Sequence, residues 1–387
     1  MPDGTGRDVG TDGAATDGAT TDGHAGDADP EDRPTRVAIA CQGGGSHTAF
    51  TAGVLRGLLS AWPDGYELVG ISGTSGGAFN ALATWYGLVT GEASTAVDLL
   101  DALWADLAAD DPADRLANDW LVAGARWRNM GLPAVDLSPY ANPVSRMGQE
   151  HIAEALEACI DFEEIPGLCT RDAPELVVGT VDVNGGVFET FTNEEVTAEA
   201  VLASAAIPEL FPAVEIHGHA HWDGLFSQNP PVMDLMTVDA DRKPDELWVV
   251  QINPQEREET PKSLIDIADR RNELAGNISL NQELRFMEWV NEWIEAGYLP
   301  EERFSLTTIR RIELGPGYDH STKLDRTPSF VEELIATGEE RAAEFLARLA
   351  DPEREATRVG PVAVGHGGRH GTDVDETEAG TVEADDD

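Results

Sequence analysis

A run of twenty-four residues without a charged side chain, from Leu68 to Gly91, most constrains what this chain can fold into. The run is long enough to cross a membrane. It is rich in Gly, Ser, Thr and Asn, however, which favours a strand, a tight turn and a buried helix over a membrane span. Because an uncharged strand and an uncharged helix must both be covered by other elements, the run predicts a layered α/β fold without a transmembrane segment.

The same alternation of strand and helix extends along the chain. The apolar run at 36–41 predicts a strand that is buried on both faces. Further strands are predicted at 67–71, 176–183, 187–192, 246–252 and 304–314, and helices at 54–59, 76–88, 96–107, 152–160, 263–296 and 329–349, with 111–145 as an excursion. Asn184-Gly185 is typical of a hairpin. The alternation predicts a mainly parallel central sheet that helices cover on both faces.

Acidic residues dominate the chain. There are 72 Asp and Glu against 26 Lys and Arg, a net charge of −46 over 387 residues. Each terminal stretch, 1–33 and 360–387, carries −7, so the middle of the chain still carries −32. Such a surface repels phosphates and anionic membranes, which excludes nucleic-acid binding. Molar salt screens charge beyond about 3 Å, and we interpret the composition as halophilic.

The ends of the chain have almost no apolar side chains to bury. We predict that 1–33 and 351–387 are disordered acidic tails around a folded domain at 34–350. The three cysteines, Cys41, Cys159 and Cys169, are an odd number without metal-ligand spacing, and residues 1–34 contain no secretory signal. These features favour a cytoplasmic location.

The strongest local motif is Gly73-Thr74-Ser75-Gly76-Gly77, which fits G-x-S-x-G. It lies where a predicted strand meets a predicted helix, and the small elbow residues Gly73 and Gly77 suit a tight, strained turn. The turn would expose the Ser75 hydroxyl near a helix N-terminus, where negative charge is favoured. Ser75 is therefore a candidate nucleophile; the alternative is a glycine-rich turn with an incidental serine.

A second motif, Gln42-Gly43-Gly44-Gly45-Ser46, follows the first predicted strand. Consecutive glycines allow backbone N–H groups to converge on a developing oxyanion, so Gly43, Gly44 and Gly45 are candidate oxyanion-hole residues. A nucleotide-phosphate loop is the competing interpretation. The segment matches neither common phosphate-loop pattern and has no lysine nearby in sequence.

Two further motifs follow the first two along the chain: Ala203-Ser204-Ala205-Ala206-Ile207-Pro208 and Asp223-Gly224. Over about residues 36–349 the chain resembles the patatin-like phospholipase family. The resemblance implies a three-layer α/β/α sandwich and a Ser–Asp dyad, with Ser75 as nucleophile and Asp223 as general base and with no cofactor or metal. The sequence departs from the family pattern at Ser46-His47-Thr48, where a basic residue is common, and at Leu225.

The resemblance also implies a carboxylic ester substrate. The family name points to lipid acyl esters, and the pattern is similar to patatin-like intracellular polyhydroxyalkanoate depolymerases of halophiles. We therefore expect hydrolysis of lipid acyl esters or of stored polyester, at the surface of a lipid particle or a storage granule. The sequence gives no prediction of oligomeric state.

Other interpretations stay open. His217, His219, His221 and Asp223 alternate, so a strand would place them on one face as a metal site. His320 follows Asp223 in the order of a Ser…Asp…His triad. A non-catalytic scaffold on a hydrolase fold is a third alternative. The aromatic helix segment Phe286–Trp293 fits core packing better than a docking surface for lipid or polymer.

Overall fold

The computed structural model describes residues 33–110, 112–129, 137–208, 210–239, 242–257, 259–300, 303–318 and 320–351. Its strands are β1 Thr35–Cys41, β2 Tyr66–Thr74, β3 Glu175–Asp182, β4 Val187–Thr192, β5 Val214–Ile216, β6 His219–Asp223, β7 Glu246–Gln251 and β8 Thr308–Glu313. Its helices are α1 Ala49–Ser60, α2 Gly76–Thr90, α3 Ala93–Leu107, α4 Pro112–Asn129, α5 Pro143–Cys159, α6 Ile165–Leu168, α7 Ala198–Ser204, α8 Met233–Met236, α9 Leu264–Glu295 and α10 Pro328–Leu349. Apart from Arg33 and Asp351, the predicted tails lie outside the described residues, so their disorder stays a prediction.

The strands form one mixed sheet in the order β5-β6-β3-β2-β1-β7-β8, with β4 paired to β3. The pairs β3-β2, β2-β1, β1-β7 and β7-β8 are parallel. The short strands β4, β5 and β6 add antiparallel pairs at one end of the sheet. The mainly parallel sheet predicted from the sequence is therefore confirmed.

The central strand β1 shows why the sheet is covered on both faces. Its residues Val37, Ile39 and Cys41 belong to a large apolar core shared with α1, α2, α3 and α10. Its intervening residues Ala38 and Ala40 belong to a smaller core on the opposite face, formed with α8 and α9. Successive side chains of a strand point to opposite faces, so an uncharged strand is buried by helices on both sides. The three-layer α/β/α sandwich is confirmed.

The structure differs from the predicted elements in several places. The helix α4 occupies much of the predicted excursion at 111–145, and the strand β8 is shorter than its predicted range. The predicted Asn184-Gly185 hairpin is present between β3 and β4. In the parts of the chain that the structure describes, no helix is long and apolar enough to span a membrane.

The aromatic segment Phe286–Trp293 of α9 divides between two environments. Met287 is buried in the smaller core, as are Leu284 and Leu280, one and two turns earlier. Phe286, Trp289 and Trp293 are each about 40% exposed. The segment is therefore core on one side and partly exposed aromatic surface on the other.

Candidate active site

The sharp turn between β2 and α2 holds Ser75. Its backbone has φ 56° and ψ −133°, a conformation that a residue with a side chain rarely adopts. The elbow glycines make this turn possible: a Cβ on Gly73 would collide with the Gly77 backbone, and a Cβ on Gly77 would collide with the Cys41 carbonyl. Ser75 is 5% exposed and lies immediately before the N-terminus of α2, where the helix dipole favours negative charge.

The sheet register brings Asp223 to the same place. On β3, Gly179 pairs with Thr74 at the end of β2, and the next residue, Thr180, pairs with Asp223 at the end of β6. Because β2 and β6 follow one another along the same edge of β3, Ser75 and Asp223 occupy adjacent positions. The two residues are separated by about 150 positions in sequence, so only this register joins them.

Asp223 has the electrostatic environment of a base. Its side chain is buried; Oδ1 accepts a 2.8 Å hydrogen bond from the Leu225 amide, and Oδ2 is buried without a well-formed hydrogen bond. Burial raises the pKa of Asp223 to about 7, although the Leu225 amide, the Ser75 hydroxyl and the Lys323 ammonium each favour the ionised form. A carboxylate with a pKa near neutrality is a better proton acceptor than an ordinary aspartate.

The segment 203–208 holds both residues by their backbones. The Ser75 amide donates to Ser204 Oγ at 2.9 Å, and that hydroxyl donates onward to the Gly179 carbonyl at 2.7 Å. Two residues later, the Ala206 carbonyl accepts a 3.1 Å hydrogen bond from the Asp223 amide. One segment therefore fixes the turn that carries the serine and the strand end that carries the aspartate.

The glycine loop lies directly against this turn. A Cβ on Gly43 would collide with the Thr74 carbonyl, and it would lie 2.9 Å from the Ser75 Cβ. The Gly43 amide donates to Asn229 Oδ1 at 2.6 Å, so it is already committed and cannot also serve an oxyanion. Neither Gly44 nor Gly45 shows an acceptor for its amide among the described residues. Of the three predicted oxyanion-hole residues, Gly43 therefore has its amide occupied by Asn229, and Gly44 and Gly45 keep amides that could serve an oxyanion.

Gln42 fixes the start of the loop through a buried network. Its Oε1 accepts from the amides of Ile252 and Asn253 at 3.0 and 2.9 Å. Its Nε2 donates to the Gly276 carbonyl at 3.1 Å and to Asn277 Oδ1 at 2.9 Å. Because both ends of this amide are satisfied, the loop is attached to the end of β7 and to α9.

The residues after the glycines contact a short 3-10 helix, His320–Leu324. His47 is buried, with its Nε2 2.7 Å from Thr322 Oγ1. Lys323 packs its side chain beside Gly44 and donates from Nζ to Asn253 Oδ1 at 2.6 Å. A lysine from a distant part of the chain thus lies at a loop that carries no basic residue of its own beyond His47.

The predicted metal alternative is not assembled. His217 lies in the turn between β5 and β6 rather than on a strand, with φ 52°. The other two histidines pair with carboxylates: His219 Nδ1 lies 2.7 Å from Asp182 Oδ2, and His221 Nε2 lies 2.7 Å from Glu189 Oε2. Within the described ranges no group of three or more His, Cys, Asp or Glu side chains could hold a metal ion. The side chain of His320 lies outside the described residues.

Sequence reasoning assigned no role to Ser204, Asn229 or Lys323. The alanine-rich segment containing Ser204 was visible as a motif, but its hydrogen bond to the Ser75 amide depends on the fold. Asn229 follows the Asp223-Gly224 motif at short range, which was the available signal. Nothing near Lys323 in sequence indicates that it reaches the glycine loop.

Proteins of known structure are similar to this chain. The structure aligns with VipD from Legionella pneumophila at 13% identity and a TM-score of 0.40, over 81% of this chain and 67% of VipD. It aligns with a chain of the ExoU–SpcU complex of the type III secretion system of Pseudomonas aeruginosa at 15% identity and a TM-score of 0.36, over 82% of this chain and 52% of that one. This chain thus spans about two thirds of the length of VipD and about half of the length of the other chain.

No functionally curated protein matches the sequence significantly. The model of the patatin-like phospholipase family matches residues 39–236, just over half of the chain, which therefore belongs to that family.

Proposed function

We propose that this protein hydrolyses carboxylic esters through Ser75 and Asp223, with the glycine loop as the oxyanion hole. The observation that carries the proposal is the placement of Ser75, in a strained turn, beside a buried carboxyl group whose pKa is raised to about 7. Strained backbone and perturbed ionisable groups are concentrated at functional sites. Membership of the patatin-like phospholipase family is consistent with lipid acyl esters as the substrate class.

The chemistry follows from the positions of these groups. Ionised Asp223 accepts the hydroxyl proton as Ser75 Oγ attacks the ester carbonyl carbon. The tetrahedral intermediate collapses, the alcohol leaves with the proton from Asp223, and an acyl-enzyme remains. Water then attacks the acyl carbon while Asp223 accepts its proton, which releases the acid and regenerates Ser75. No step needs a metal or a cofactor.

The oxyanion of both tetrahedral intermediates is assigned to the amides of Gly44 and Gly45. These amides lie on a loop that packs against the Ser75 turn, and they have no acceptor within the described part of the chain. Donors already in place stabilise charge that develops only in the transition state, and one such donor contributes about 3 kcal/mol. The Gly43–Asn229 pair keeps the loop in register with the turn.

Ester cleavage by single variants tests the dyad. We expect Ser75→Ala and Asp223→Asn each to abolish hydrolysis of a p-nitrophenyl ester, and the double variant to be little worse than either, because the two residues act as one unit. Ser72→Ala, which removes a buried serine of the preceding strand β2, is the matched control. A fluorophosphonate should label the wild type and not Ser75→Ala; absence of labelling in the folded wild type would favour the non-catalytic scaffold.

The activity of a His320→Ala variant distinguishes a Ser–Asp dyad from a Ser–His–Asp triad. If Ser75 and Asp223 suffice, His320→Ala keeps most of the activity. A nearly inactive His320→Ala variant, together with substantial activity in Asp223→Asn, would show that an imidazole is the base and would contradict the assignment of Asp223.

The physical form of the substrate is the finer part of the proposal. The net −32 of the chain between its terminal stretches repels anionic phospholipid surfaces, so we propose uncharged ester surfaces, either neutral acyl lipids or stored polyhydroxyalkanoate. The partly exposed Phe286, Trp289 and Trp293 are candidates for contact with such a surface. The rates of ester cleavage on native polyester granules, neutral lipid emulsions and anionic vesicles, all measured at one KCl concentration, would rank the three substrates. Fastest cleavage of the anionic vesicles would contradict the charge argument.

A further inference from the structure

Lys323 is an unusual residue in this chain because of where it lies. Lysine occurs at three positions among 387 residues, and the other two are Lys243 and Lys262. The 3-10 helix that contains Lys323 packs against the glycine loop. A Cβ on Gly44 would lie 3.7 Å from the Lys323 Cε, and a Cβ on Gly45 would lie 3.4 Å from the Lys323 Cβ and collide with the Lys323 carbonyl. The close approach of the loop to the lysine therefore requires a glycine at position 45.

The ammonium group is held at that position by a buried partner. Lys323 Nζ donates to Asn253 Oδ1 at 2.6 Å, and the backbone N–H of Asn253 donates to Gln42 Oε1 at 2.9 Å. Gln42 directly precedes the glycines. The lysine, the asparagine and the loop therefore form one connected set of hydrogen bonds, which fixes the charge relative to the oxyanion donors.

The electrostatic effect of Lys323 reaches the other side of the site. Burial raises the pKa of Asp223, and the Lys323 charge opposes that rise by favouring the carboxylate. Other ionisable groups lie on the neighbouring elements. They include His219 and His221 on β6, Asp182 on β3, Glu189 on β4, His47 in the loop, and Glu273 and Glu283 on α9. Each of these groups has its own hydrogen-bond or ion-pair partner.

We propose that Lys323 supplies the positive charge of this active site, stabilising negative charge both at Asp223 and at the oxyanion that the glycine loop binds. The inference rests on the proposed function of Ser75 and Asp223. Lys323 acts through space on these groups rather than by proton transfer, so it is an electrostatic and positioning residue. Its charge is local, in a buried site where salt screens it weakly, whereas the acidic surface is screened.

Charge-neutral and charge-conserving variants test the proposal. Lys323→Met removes the charge at similar length, Lys323→Gln keeps a donor for Asn253, and Lys323→Arg keeps the charge. Lys243→Met is the matched control, because Lys243 is also half-buried and donates a hydrogen bond, to the Ser305 carbonyl at 2.7 Å. Lys243 precedes the first residue of β7, whereas the glycine loop is attached at the other end of that strand. All are assayed on p-nitrophenyl butyrate at constant KCl.

In Lys323→Met and Lys323→Gln, we expect kcat to fall at least tenfold with KM changed less than about threefold. The acidic limb of the kcat/KM profile should move to higher pH by about half a unit or more, because the carboxylate has lost a favourable charge. Lys323→Arg should restore both properties, and Lys243→Met should match the wild type. An unmoved limb in both neutral variants, or equal losses in the Met and Arg variants, would overturn the proposal and assign Lys323 a purely structural role.

A second measurement does not depend on activity. The stability difference between Asp223→Asn and its parent begins to grow at the pKa of the unfolded carboxyl group and levels off at the pKa of folded Asp223. The pH at which it levels off can be measured in the wild-type background and in the Lys323→Met background. The proposal requires this pH to be higher in the Lys323→Met background. If the wild type cleaves no ester but this shift is observed, the proposed function fails while the electrostatic role of Lys323 stands; no shift overturns that role in either case.

Discussion

Replacing Asp223 with asparagine should remove a loss of stability that grows with pH, and it should also remove the activity. The reason is the buried carboxylate. Asp223 is 1% exposed, its Oδ2 has no well-formed hydrogen bond, and its pKa is about 7 in the folded protein against 3.8 for an ordinary aspartate. Keeping this group ionised inside the fold therefore costs stability, which the neutral amide avoids.

The size of the effect follows from the difference in proton binding. Between about pH 4 and pH 7 folded Asp223 holds a proton that the unfolded chain has lost, so the free energy of unfolding falls as pH rises through this window. A difference of about 3 pKa units corresponds to about 4 kcal/mol, fully lost above pH 7. Between pH 5 and pH 8, where the acidic chain is easiest to study, we expect about 2–3 kcal/mol of that change.

Urea unfolding of wild type and Asp223→Asn, at fixed molar KCl and at several pH values, measures this quantity. The asparagine retains an oxygen that can accept from the Leu225 amide, and its buried NH₂ group adds a cost that is independent of pH. This constant cost does not alter the way in which the stability difference between the two proteins changes with pH. Titration of other carboxylates occurs in both proteins and cancels.

Asp64→Asn is the control, because it removes one exposed carboxylate without touching the site. Its difference from the wild type should be nearly independent of pH from 5 to 8. A change of less than about 1 kcal/mol for Asp223→Asn over the same range would refute the reasoning. It would mean that Asp223 titrates as an ordinary carboxyl group and is too weak a base for the proposed mechanism.

Three further changes test the loop, the turn and the surface. Gly44→Val should lower kcat about 100-fold with little change in KM, because an oxyanion donor acts only in the transition state; a change confined to KM in ester hydrolysis would contradict this role. Ser204→Ala removes the acceptor of the buried Ser75 amide and one donor to the Gly179 carbonyl, so urea unfolding should show a loss of about 2 kcal/mol together with a lower kcat. Melting temperature and activity should both rise as KCl increases from tenths molar to molar, and removal of 1–33 and 360–387 should preserve that dependence; full activity of the trimmed protein in dilute buffer would refute the halophilic interpretation.

The sequence predicted those features whose causes are local. The uncharged run at 68–91 contains the strand, the turn and the helix that place Ser75, and the glycines of the turn are needed for steric reasons within a few residues of it. The alternation that predicted the parallel sheet is also local to each element. The helix α4 was missed because its residues mix Trp, Gly and charged side chains, which obscures an apolar stripe, although Pro112 at its first turn was an available signal.

The remaining parts of the site depend on register. Asp223 reaches Ser75 only because Thr180 pairs with it while Gly179 pairs with Thr74, and a shift of one residue would turn its side chain to the other face of the sheet. The hydrogen bond from the Gly43 amide to Asn229 likewise joins residues that are 186 positions apart. No spacing rule in the sequence distinguishes an amide that is already paired from one that is available.

The charge of the whole chain explains why a local cation matters at this site. A negative surface charge disfavours further negative charge at an oxyanion, and the chain between its terminal stretches has a net charge of −32. Those charges act across water and salt, over distances longer than the roughly 3 Å Debye length at molar salt. The half-unit shift expected for Lys323→Met corresponds to about 0.7 kcal/mol. One lysine held beside the glycine loop acts at short range, so its effect persists at high salt while the acidic surface is screened. Dilution of the salt should weaken catalysis before it unfolds the protein, because the surface field reaches the active site as screening is lost.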